Sequence, residues 1–457
     1  MGQKDHYFVP HLRCQGGSVG PHLPTMSTTH HAPLPHIVVV GAGFGGLSFC
    51  QKFPAKLARI TLIDKQNHHL FQPLLYQVAS AGLSAVDIAQ PVRAIFGARP
   101  NFTVIMSAVT GFDLAGKRVL HEHGELSYDY LVIAAGGMTS YFGHPEWEQF
   151  APGLKTLDDA LLIRRRILLA FERAEIETDP ARRDAAMTIV VVGGGPTGVE
   201  LAGTFAELTR TVLNRDFDHI DPSKSRVILL EGSPRVLAVY PPDLSASAQR
   251  QLEHLGVEVR TNTRVESITE GQVVAGGQTI KSDNIVWGAG VAAVPIAKQL
   301  GAEQDRAGRV KVLPDCSVPG HPEVFAVGDI ISLVDAKGVT VPGVAQGAIQ
   351  TGAHVAKVIK QELTGEKFSP AGREAFAYFD KGNMATIGRS AAVAEIGRFH
   401  ISGFPAWIAW LGVHLLFLVS FRSKLSVLIQ WTYSYFTYKR GARVITGATG
   451  GPPSHSA

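Results

Sequence analysis

The sequence has little cysteine and little net charge, and each shortage argues against particular classes of protein. Three cysteines occur in 457 residues, Cys14, Cys50 and Cys316. None forms a C-x-x-C pair, which argues against a dithiol redox centre and a zinc ribbon. Few, scattered cysteines are typical of a reducing cytosol. The formal net charge of +4 is small for this length, so nucleic acid is not an expected partner.

The N-terminal segment lacks the apolar core of a signal peptide and is rich in His, Pro and Gly. We predict that residues 1–34 form a disordered extension, with Met26 as an alternative start of translation.

The adjacent His68 and His69 would not share a face of a helix, so no metal site is predicted. The length favours two or three domains.

A glycine-rich turn follows the apolar run His36–Val40, in the pattern G-x-G-x-x-G: Gly41, Ala42, Gly43, Phe44, Gly45 and Gly46. The pattern is typical of a strand–turn–helix that binds a dinucleotide. Its first glycine permits the tight turn, the second lets a pyrophosphate approach the backbone, and the last lets the helix pack on the strand. Asp64 ends the next apolar run, 23 residues after Gly41. This is close to the position at which a carboxylate of such motifs forms a hydrogen bond with a ribose hydroxyl. A glycine-rich hairpin is the alternative.

The same pattern returns after Thr188–Val192, as Gly193, Gly194, Gly195, Pro196, Thr197 and Gly198. Glu231 ends the strand that follows. In each copy a later apolar strand ends at a similar distance from the first glycine of the pattern. This distance is 93 residues in the first copy, at Ala134, and 95 residues in the second copy, at Gly288. Small residues at these strand ends let a flat group approach the backbone; they include Ala135, Gly136 and Gly290. The repeat predicts two dinucleotide sites.

A late Gly328-Asp329 ends another apolar strand. Two modules and a late Gly-Asp resemble the flavoproteins with two dinucleotide-binding domains, over roughly residues 35–395. The resemblance implies an α/β fold with two Rossmann-like domains, the FAD domain being split around an inserted NAD domain. It implies that FAD binds the first module and NADH the second, with Asp64 and Lys65 near the adenosine ribose of FAD and Asp329 on the ribityl chain.

These features predict five divisions of the chain. Residues 35–155 and 293–396 form the two parts of the FAD-binding domain, and residues 156–292 form the NAD(H)-binding domain. Residues 397–457 form a C-terminal helical region that associates with a membrane, and residues 1–34 are the extension described above.

Four segments are similar to the type II NADH dehydrogenases, the single-subunit, non-pumping NADH:quinone oxidoreductases: 71–76, 286–291, 345–352 and 380–388. The resemblance implies that Ala345 and Gln346 open a helix under the isoalloxazine ring. Gln346 and Gln350 share a helix face and are implied to face the quinone. Lys381 is a weaker candidate near the flavin.

Glu200 and Glu231 belong to the second module. The resemblance implies that Glu200 lies near nicotinamide and flavin, where it positions them or relays protons; a carboxylate stabilised near a helix N-terminus is the alternative. Glu231 lies where the ribose 2′-hydroxyl would be held. A carboxylate there accepts a hydrogen bond from NADH and repels the 2′-phosphate of NADPH, so NADH is predicted, although the nearby Arg235 would soften this preference.

The C-terminal region contains an apolar run at 404–421 and an amphipathic segment at 424–438. The run has 18 positions with His414 near its centre, whereas about 20 apolar residues normally span a bilayer. The amphipathic segment contains interfacial aromatic residues such as Trp431 and is flanked by cations such as Arg440. These features favour an in-plane, monotopic anchor on anionic lipid. A core helix or a dimer interface is the alternative. We predict a peripheral protein on the cytoplasmic face of the cell inner membrane.

The predicted function is hydride transfer from NADH to FAD and two-electron transfer to a quinone, ubiquinone or menaquinone, without proton pumping. The expected partners are this quinone, the lipid surface and a second copy of the chain in a homodimer. Alternatives are a sulfide:quinone or ferredoxin-type reductase, and an NADH-sensing flavoprotein with little turnover. Sulfide oxidation would need cysteines near the flavin, whereas Cys50 and Cys316 are expected to be isolated, mostly buried thiols.

Overall fold

The computed structural model describes residues 33–214, 216–366, 372–437 and 440–445. All described strands and helices belong to the unit Pro35–Ala457. The predicted N-terminal extension lies outside the described residues, apart from residues 33 and 34.

The first glycine-rich turn lies at the end of the strand His36–Val40, inside a six-stranded sheet. The strand order is Ser317–Val318, His321–Ala326, Tyr130–Ile133, His36–Val40, Arg59–Asp64 and Phe102–Met106. All neighbours pair in parallel except the first two. Every residue of His36–Val40 is buried, which explains its continuous apolar run, since parallel strands are covered on both faces.

The second glycine-rich turn ends a strand of a four-stranded parallel sheet, in the order Val257–Arg260, Arg226–Leu230, Thr188–Val192 and Asn284–Trp287. Its closing strand lies beside its first strand, as in the first sheet. Each module also has an antiparallel three-stranded sheet, at Val109–Asp113, Arg118–His121 and Gly124–Ser127 in one and at Val265–Thr269, Gln272–Ala275 and Gln278–Lys281 in the other. The predicted pair of Rossmann-like domains is confirmed.

Two short strands join the modules: Gly137–Thr139 pairs with Val291–Ala293 in antiparallel register. Each follows the closing strand of its own module, so the small-residue ends of the two sheets meet. The longer helices are Phe44–Lys52 (the first nucleotide helix), Leu157–Ile176, Pro180–Ala186, Pro196–Glu207 (the second nucleotide helix), Pro242–His254 and Ala345–Leu363 (the glutamine helix). The shorter ones are Leu75–Ala79, Ala85–Ile88 and Val92–Phe96.

The two nucleotide helices are covered by different later elements. The glutamine helix packs on the first: a Cβ built at Gly352 would lie 2.2 Å from the carbonyl oxygen of Gly45, and Ser48 Oγ donates to the Ile349 carbonyl at 2.7 Å. A C-terminal antiparallel sheet, Asn383–Gly388, Ala391–Ile396 and Phe399–Ser402, packs on the second. There, a Cβ at Gly203 would lie 1.6 Å from the Ile387 carbonyl oxygen.

Two helices follow this sheet, Phe404–Phe417 and Phe421–Thr437. The apolar run predicted at 404–421 is therefore interrupted after residue 417, and neither of these helices nor any other in the described part of the chain is long and apolar enough to cross a membrane. The predicted division at 396/397 falls between paired strands of the C-terminal sheet. The domain boundaries stay a prediction.

Candidate functional site

The two glycine-rich turns have nearly the same backbone geometry. Gly41 and Gly193 have φ angles of +101° and +104°, in the region that favours glycine. A Cβ at Gly46 would lie 1.9 Å from the Gly41 carbonyl oxygen, and one at Gly198 would lie 1.7 Å from that of Gly193. In both copies the last glycine therefore allows the helix to pack directly on the turn.

The middle glycines face open space. No heavy atom of the described residues lies within 4 Å of a Cβ built at Gly43 or at Gly195. Both residues precede the first turn of a nucleotide helix, where free N–H groups and the helix dipole favour a phosphate. In the second copy Pro196 and Thr197 begin that helix. Each turn thus provides an open cradle that fits a pyrophosphate.

The two acids at the strand ends make matching contacts with these turns. Asp64 accepts hydrogen bonds from the N–H groups of Ala42 at 2.6 Å and Gln66 at 2.7 Å. Glu231 accepts from the N–H groups of Gly194 at 2.5 Å and Ser233 at 2.6 Å. Burial raises the pKa of Asp64, and the two N–H groups oppose this rise. Each carboxylate therefore fixes the turn beside which a ribose would lie.

The first site has an aromatic wall. Phe44 packs edge-on against His69 and Phe71, and His69 Nδ1 lies 2.8 Å from the Ala42 carbonyl oxygen. Lys65, at the end of the same strand as Asp64, is exposed. The contact of this wall with the glycine-rich turn depends on folding, and no local pattern in the sequence predicts it.

Asp329 lies beside the small-residue strand end of the first sheet. Its Cβ would be 3.4 Å from a Cβ built at Gly137, next to Ala135 and Gly136. Burial raises the pKa of Asp329, while the positive charge of Lys155 opposes this rise; burial in turn lowers the pKa of Lys155. This half-buried lysine had no signal in the sequence. The equivalent glycines Gly136 and Gly290 have φ angles of +73° and +74°.

The side-chain amides of Gln346 and Gln350 bind the backbone of residues 379–382. Gln346 Nε2 donates to the Gly382 carbonyl at 3.0 Å, and Gln350 exchanges two hydrogen bonds of 2.9 Å with Phe379. Gln346 Oε1 also accepts from the Lys381 N–H at 3.3 Å. The glutamines therefore hold the segment that carries Lys381, whose ammonium group lies 5.5 Å from the centre of the Phe417 ring. Ala345 begins the same helix.

Glu200 lies on the second nucleotide helix, against the C-terminal sheet. Its carboxyl group has a pKa well above the usual range because of desolvation, and the backbone of Thr386 opposes this shift. The negative charge of Glu200 contributes to the raised pKa values of two buried tyrosines, Tyr76 and Tyr240. The raised pKa favours the protonated form of this carboxyl group, from which it can donate a proton.

Neither described cysteine is placed for thiol chemistry. Cys50 and Cys316 are fully buried, and burial raises the pKa of both thiols. In the described ranges no group of three or more His, Cys, Asp or Glu side chains could hold a metal ion. Cys14 lies outside them.

Sequence reasoning missed a polar cluster beneath the C-terminal helices, formed by Tyr76, Gln77, Glu207, Trp431 and Arg440. Arg440 and Trp431 were expected at a lipid surface. Instead, Arg440 is 8% exposed and pairs with Glu207 at 2.9 Å, while the Trp431 indole N–H donates to Gln77 at 2.8 Å. The partners lie more than 200 residues apart, so no local pattern could reveal them.

Comparisons with known proteins agree with this architecture. Residues 35–352 match the family described as pyridine nucleotide-disulphide oxidoreductase, and residues 381–439 match the NDH2 C-terminal domain. The chain is 45% identical to the type II NADH:quinone oxidoreductase Ndh of Mycobacterium tuberculosis, over 93% of each chain. It is 29% identical to that of Staphylococcus haemolyticus, over 81% of this chain and 92% of the other.

The fold is similar to the structure of NDH2 from Plasmodium falciparum in complex with NADH. The TM-score is 0.82 at 20% identity, and the match covers 90% of this chain and 100% of the other. With two family matches and a relative of this identity over nearly its whole length, the chain belongs to the pyridine nucleotide-disulphide oxidoreductase family and, within it, to the type II NADH:quinone oxidoreductases.

Proposed function

We propose that the protein oxidises NADH and reduces a quinone, ubiquinone or menaquinone, with FAD in the first module and NADH in the second, without pumping protons. The observation that carries this proposal is the pair of glycine turns with nearly equal φ angles, each with an open cradle and a strand-end acid, in a chain 45% identical to an enzyme named for this activity. Bound FAD would supply the two-electron carrier between nicotinamide and quinone.

The residues of the first site fit FAD. Gly43 leaves room for the pyrophosphate, Asp64 lies where the adenosine ribose would be, and Asp329 offers a carboxylate beside the small strand end Ala135–Gly136. The start of the glutamine helix at Ala345 directs N–H groups toward this region, and a helix N-terminus favours negative charge. These residues bind and orient; no protein acid–base pair is required for hydride transfer.

The residues of the second site fit NADH. Gly195 leaves room for its pyrophosphate, and Glu231 is held beside the turn by two N–H groups, where it would meet the ribose hydroxyls. Gly290 lies at the end of the closing strand, where the nicotinamide half would extend toward the first module. Glu200 is placed to exchange a proton, and Gln346, Gln350 and Lys381 form the side that a quinone would approach.

We also propose that the protein is monotopic on the cytoplasmic face of the cell inner membrane. We further propose that it forms a homodimer, and light scattering in detergent would measure the mass of this dimer. Apolar side chains on the outer faces of the C-terminal helices support the membrane assignment: Leu416, Phe421, Leu425, Ile429 and Phe436 are all exposed. The apolar stripe expected from 424–438 is therefore turned outward, whereas Trp431 and Arg440 are turned inward.

Substitution of exposed residues tests the anchor better than truncation. Removal of everything after residue 403 would also remove Trp410 and Val427, which are buried. The triple variant Leu416→Ser, Phe421→Ser, Phe436→Ser should lose at least about tenfold in binding to anionic vesicles, since burial of each such side chain contributes about 1.5–3 kcal/mol. Co-sedimentation measures this loss.

The matched control replaces apolar residues that are equally exposed elsewhere. Ile176 and Val239 are 81% and 80% exposed and lie within residues 156–292, outside the C-terminal helices. The variant Ile176→Ser, Val239→Ser should bind vesicles as the unaltered protein does. If both variants lose binding equally, or neither does, the C-terminal helices are not the anchor.

The activity is tested on the purified full-length protein in membranes. Rapid mixing with NADH should bleach the flavin absorbance, and adding a quinone should restore it; sulfide should do neither, since Cys50 and Cys316 are buried. Flavin reduction by sulfide would favour the sulfide:quinone alternative. Reduction by NADH without any electron transfer to quinones would favour the NADH-sensing alternative.

A further inference from the structure

A cavity of about 110 Å³ lies between the second nucleotide helix and the two C-terminal helices. One side is polar and includes Tyr76, Thr204, Glu207 and Arg440. The other side consists of aromatic rings from the C-terminal helices. Gln346, Gln350 and Lys381 are not among the described residues that line it. The cavity is therefore separate from the side assigned above to the quinone.

The polar side of the cavity is fixed by a buried ion pair. Arg440 Nη2 lies 2.9 Å from Glu207 Oε2, and Arg440 Nη1 donates to the Ser80 carbonyl at 3.0 Å. The second carboxylate oxygen of Glu207 accepts from the Arg389 N–H. Because the charges are paired and hydrogen-bonded, this part of the lining keeps one arrangement.

A directed chain of hydrogen bonds begins on the C-terminal helix Phe421–Thr437. Trp431 Nε1 donates to Gln77 Oε1 at 2.8 Å, and Gln77 Nε2 donates to the Tyr76 hydroxyl oxygen at 2.8 Å. An indole N–H can only donate, so it fixes which end of the Gln77 amide faces Tyr76. The Tyr76 oxygen therefore accepts from Gln77, and its own proton is left to be donated elsewhere.

The hydroxyl proton of Tyr76 has acidic neighbours and room for water. Tyr76 lines the cavity together with Thr204 and Glu207. Glu200 lies one turn before Thr204 on the same helix, where its backbone carbonyl accepts from Thr204 Oγ1 at 2.6 Å. The indole N–H of Trp410, a residue 1% exposed that also lines the cavity, has no hydrogen-bond partner among the described residues. A buried donor without a protein partner, in a polar cavity of this size, indicates bound water.

We propose that Tyr76 passes protons between water in this cavity and Glu200, and that Gln77 and Trp431 position its hydroxyl group for this task. The inference rests on the proposed function. The overall reaction, NADH + quinone + H⁺ → NAD⁺ + quinol, takes up one proton from solution, whereas hydride transfer from NADH takes up none. Among the described residues, the charged and titratable groups around the route are Glu200, Glu207, Tyr240, Arg389, Tyr435 and Arg440.

The test separates the two half-reactions in the full-length, flavin-loaded protein in membranes. Tyr76→Phe keeps the ring, which packs edge-on against Trp410, and removes only the hydroxyl group. The rate of flavin reduction by NADH should stay within about twofold of that of the unaltered protein. The rate of flavin reoxidation by quinone should fall about tenfold or more and become more sensitive to D₂O. The fall is expected because general acid catalysis contributes at least about a hundredfold where it operates. Trp431→Phe should slow the same step by a smaller factor.

Tyr240→Phe is the matched control. Tyr240 is also buried and also lies in the field of Glu200, but it is not among the described residues that line the cavity. Both half-reactions of this variant should match those of the unaltered protein. If Tyr76→Phe slows both half-reactions equally, leaves quinone reduction unchanged, or behaves as Tyr240→Phe does, the inference is wrong.

A readout apart from activity comes from infrared spectroscopy of the Glu200 carboxyl group. Its C=O stretching band is identified by its loss in Glu200→Gln, and it should shift in Tyr76→Phe, because this variant removes the hydroxyl group proposed to exchange protons with the carboxyl group. An unchanged band would contradict the proposed link between the two residues. A distinct outcome, an unaltered protein that NADH reduces but no quinone reoxidises, would contradict the proposed function itself.

Discussion

The two nucleotide helices share one turn geometry but have different covers, and the difference separates the two sites. Gly41 and Gly193 have nearly equal φ angles, and Asp64 and Glu231 bind their turns in the same way. Yet the first helix is covered by the glutamine helix and the second by the C-terminal sheet. The repeat provides two turns of equivalent geometry, and the chain that follows it gives each turn its own surroundings.

Close backbone contact at a glycine makes each cover specific. Gly352 lets the glutamine helix lie against Gly45, and Gly203 lets the second nucleotide helix lie against Ile387. The first contact sets the helix that carries Gln346 against the first module, and the second sets the helix that carries Glu200 against the strand that contains Thr386. The two glycines thus fix where the side chains proposed to act at the two cofactors lie.

The largest expected effects come from breaking these contacts one at a time. In Gly352→Ala the new methyl group would lie 2.2 Å from the Gly45 carbonyl oxygen, and in Gly203→Ala it would lie 1.6 Å from that of Ile387. Backbone must shift in both, at a cost of about 1–3 kcal/mol or more. Gly352→Ala should purify with little flavin, whereas Gly203→Ala should keep its flavin and lose quinone reduction. Flavin absorbance per chain and the two half-reactions measure these effects.

Gly412, which has open space around a built Cβ, provides the control: Gly412→Ala should change neither flavin content nor activity. If Gly352→Ala and Gly203→Ala lose flavin to the same extent, the covers do not act separately, and the comparison between the two modules fails.

The next effect concerns His414, through which the C-terminal helices contact the first module. Its ring stacks on Trp410 and packs edge-on against Phe71, and burial lowers its pKa from 6.5 to about 4. Between these values the unfolded chain binds more protons than the folded one, so stability falls as the pH falls from 6.5 toward 4. The shift corresponds to about 3 kcal/mol.

His414→Phe keeps an aromatic ring and removes this titration. Relative to the unaltered protein, the variant should gain about 3 kcal/mol in the free energy of unfolding between pH 7 and pH 4. Denaturant unfolding at several pH values measures the gain. If the free energies of unfolding of the two proteins differ by the same amount at every pH in this range, His414 is not buried as neutral imidazole.

Local patterns were sufficient to predict the two turns, the strand-end acids and the strands that carry them. Gly41, Gly193, Asp64 and Glu231 lie in short motifs whose chemistry follows from spacing alone. The covers were harder to predict, because Gly203 and Gly352 have no local signal for Ile387 or Gly45. Partners this distant depend on the packing of whole elements.

The C-terminal helices show the same limit. Their composition predicted an amphipathic anchor, and the stripe that includes Leu425 and Ile429 is exposed. The composition could not show that Trp431 and Arg440, which suit a lipid interface by residue type, point into the protein. There Trp431 donates a hydrogen bond to Gln77, and Arg440 forms an ion pair with Glu207. An aromatic or cationic residue that suits an interface suits a polar cavity equally well.

The smallest effect, about tenfold, distinguishes the two strand-end acids. Glu231→Gln keeps the length of the side chain and one acceptor oxygen, so one of the two hydrogen bonds from the Gly194 and Ser233 N–H groups is lost. The change also removes the charge that would repel a 2′-phosphate, so the NADPH/NADH ratio of kcat/KM should rise about tenfold, which is about 1.4 kcal/mol. Asp64→Asn is the matched change in the other module, where it should leave this ratio unchanged and weaken flavin retention. Steady-state kinetics with both nucleotides measure the ratio. A rise with Asp64→Asn instead would reverse the assignment of the two cradles, because the acid that selects the nicotinamide must lie in the module that binds it.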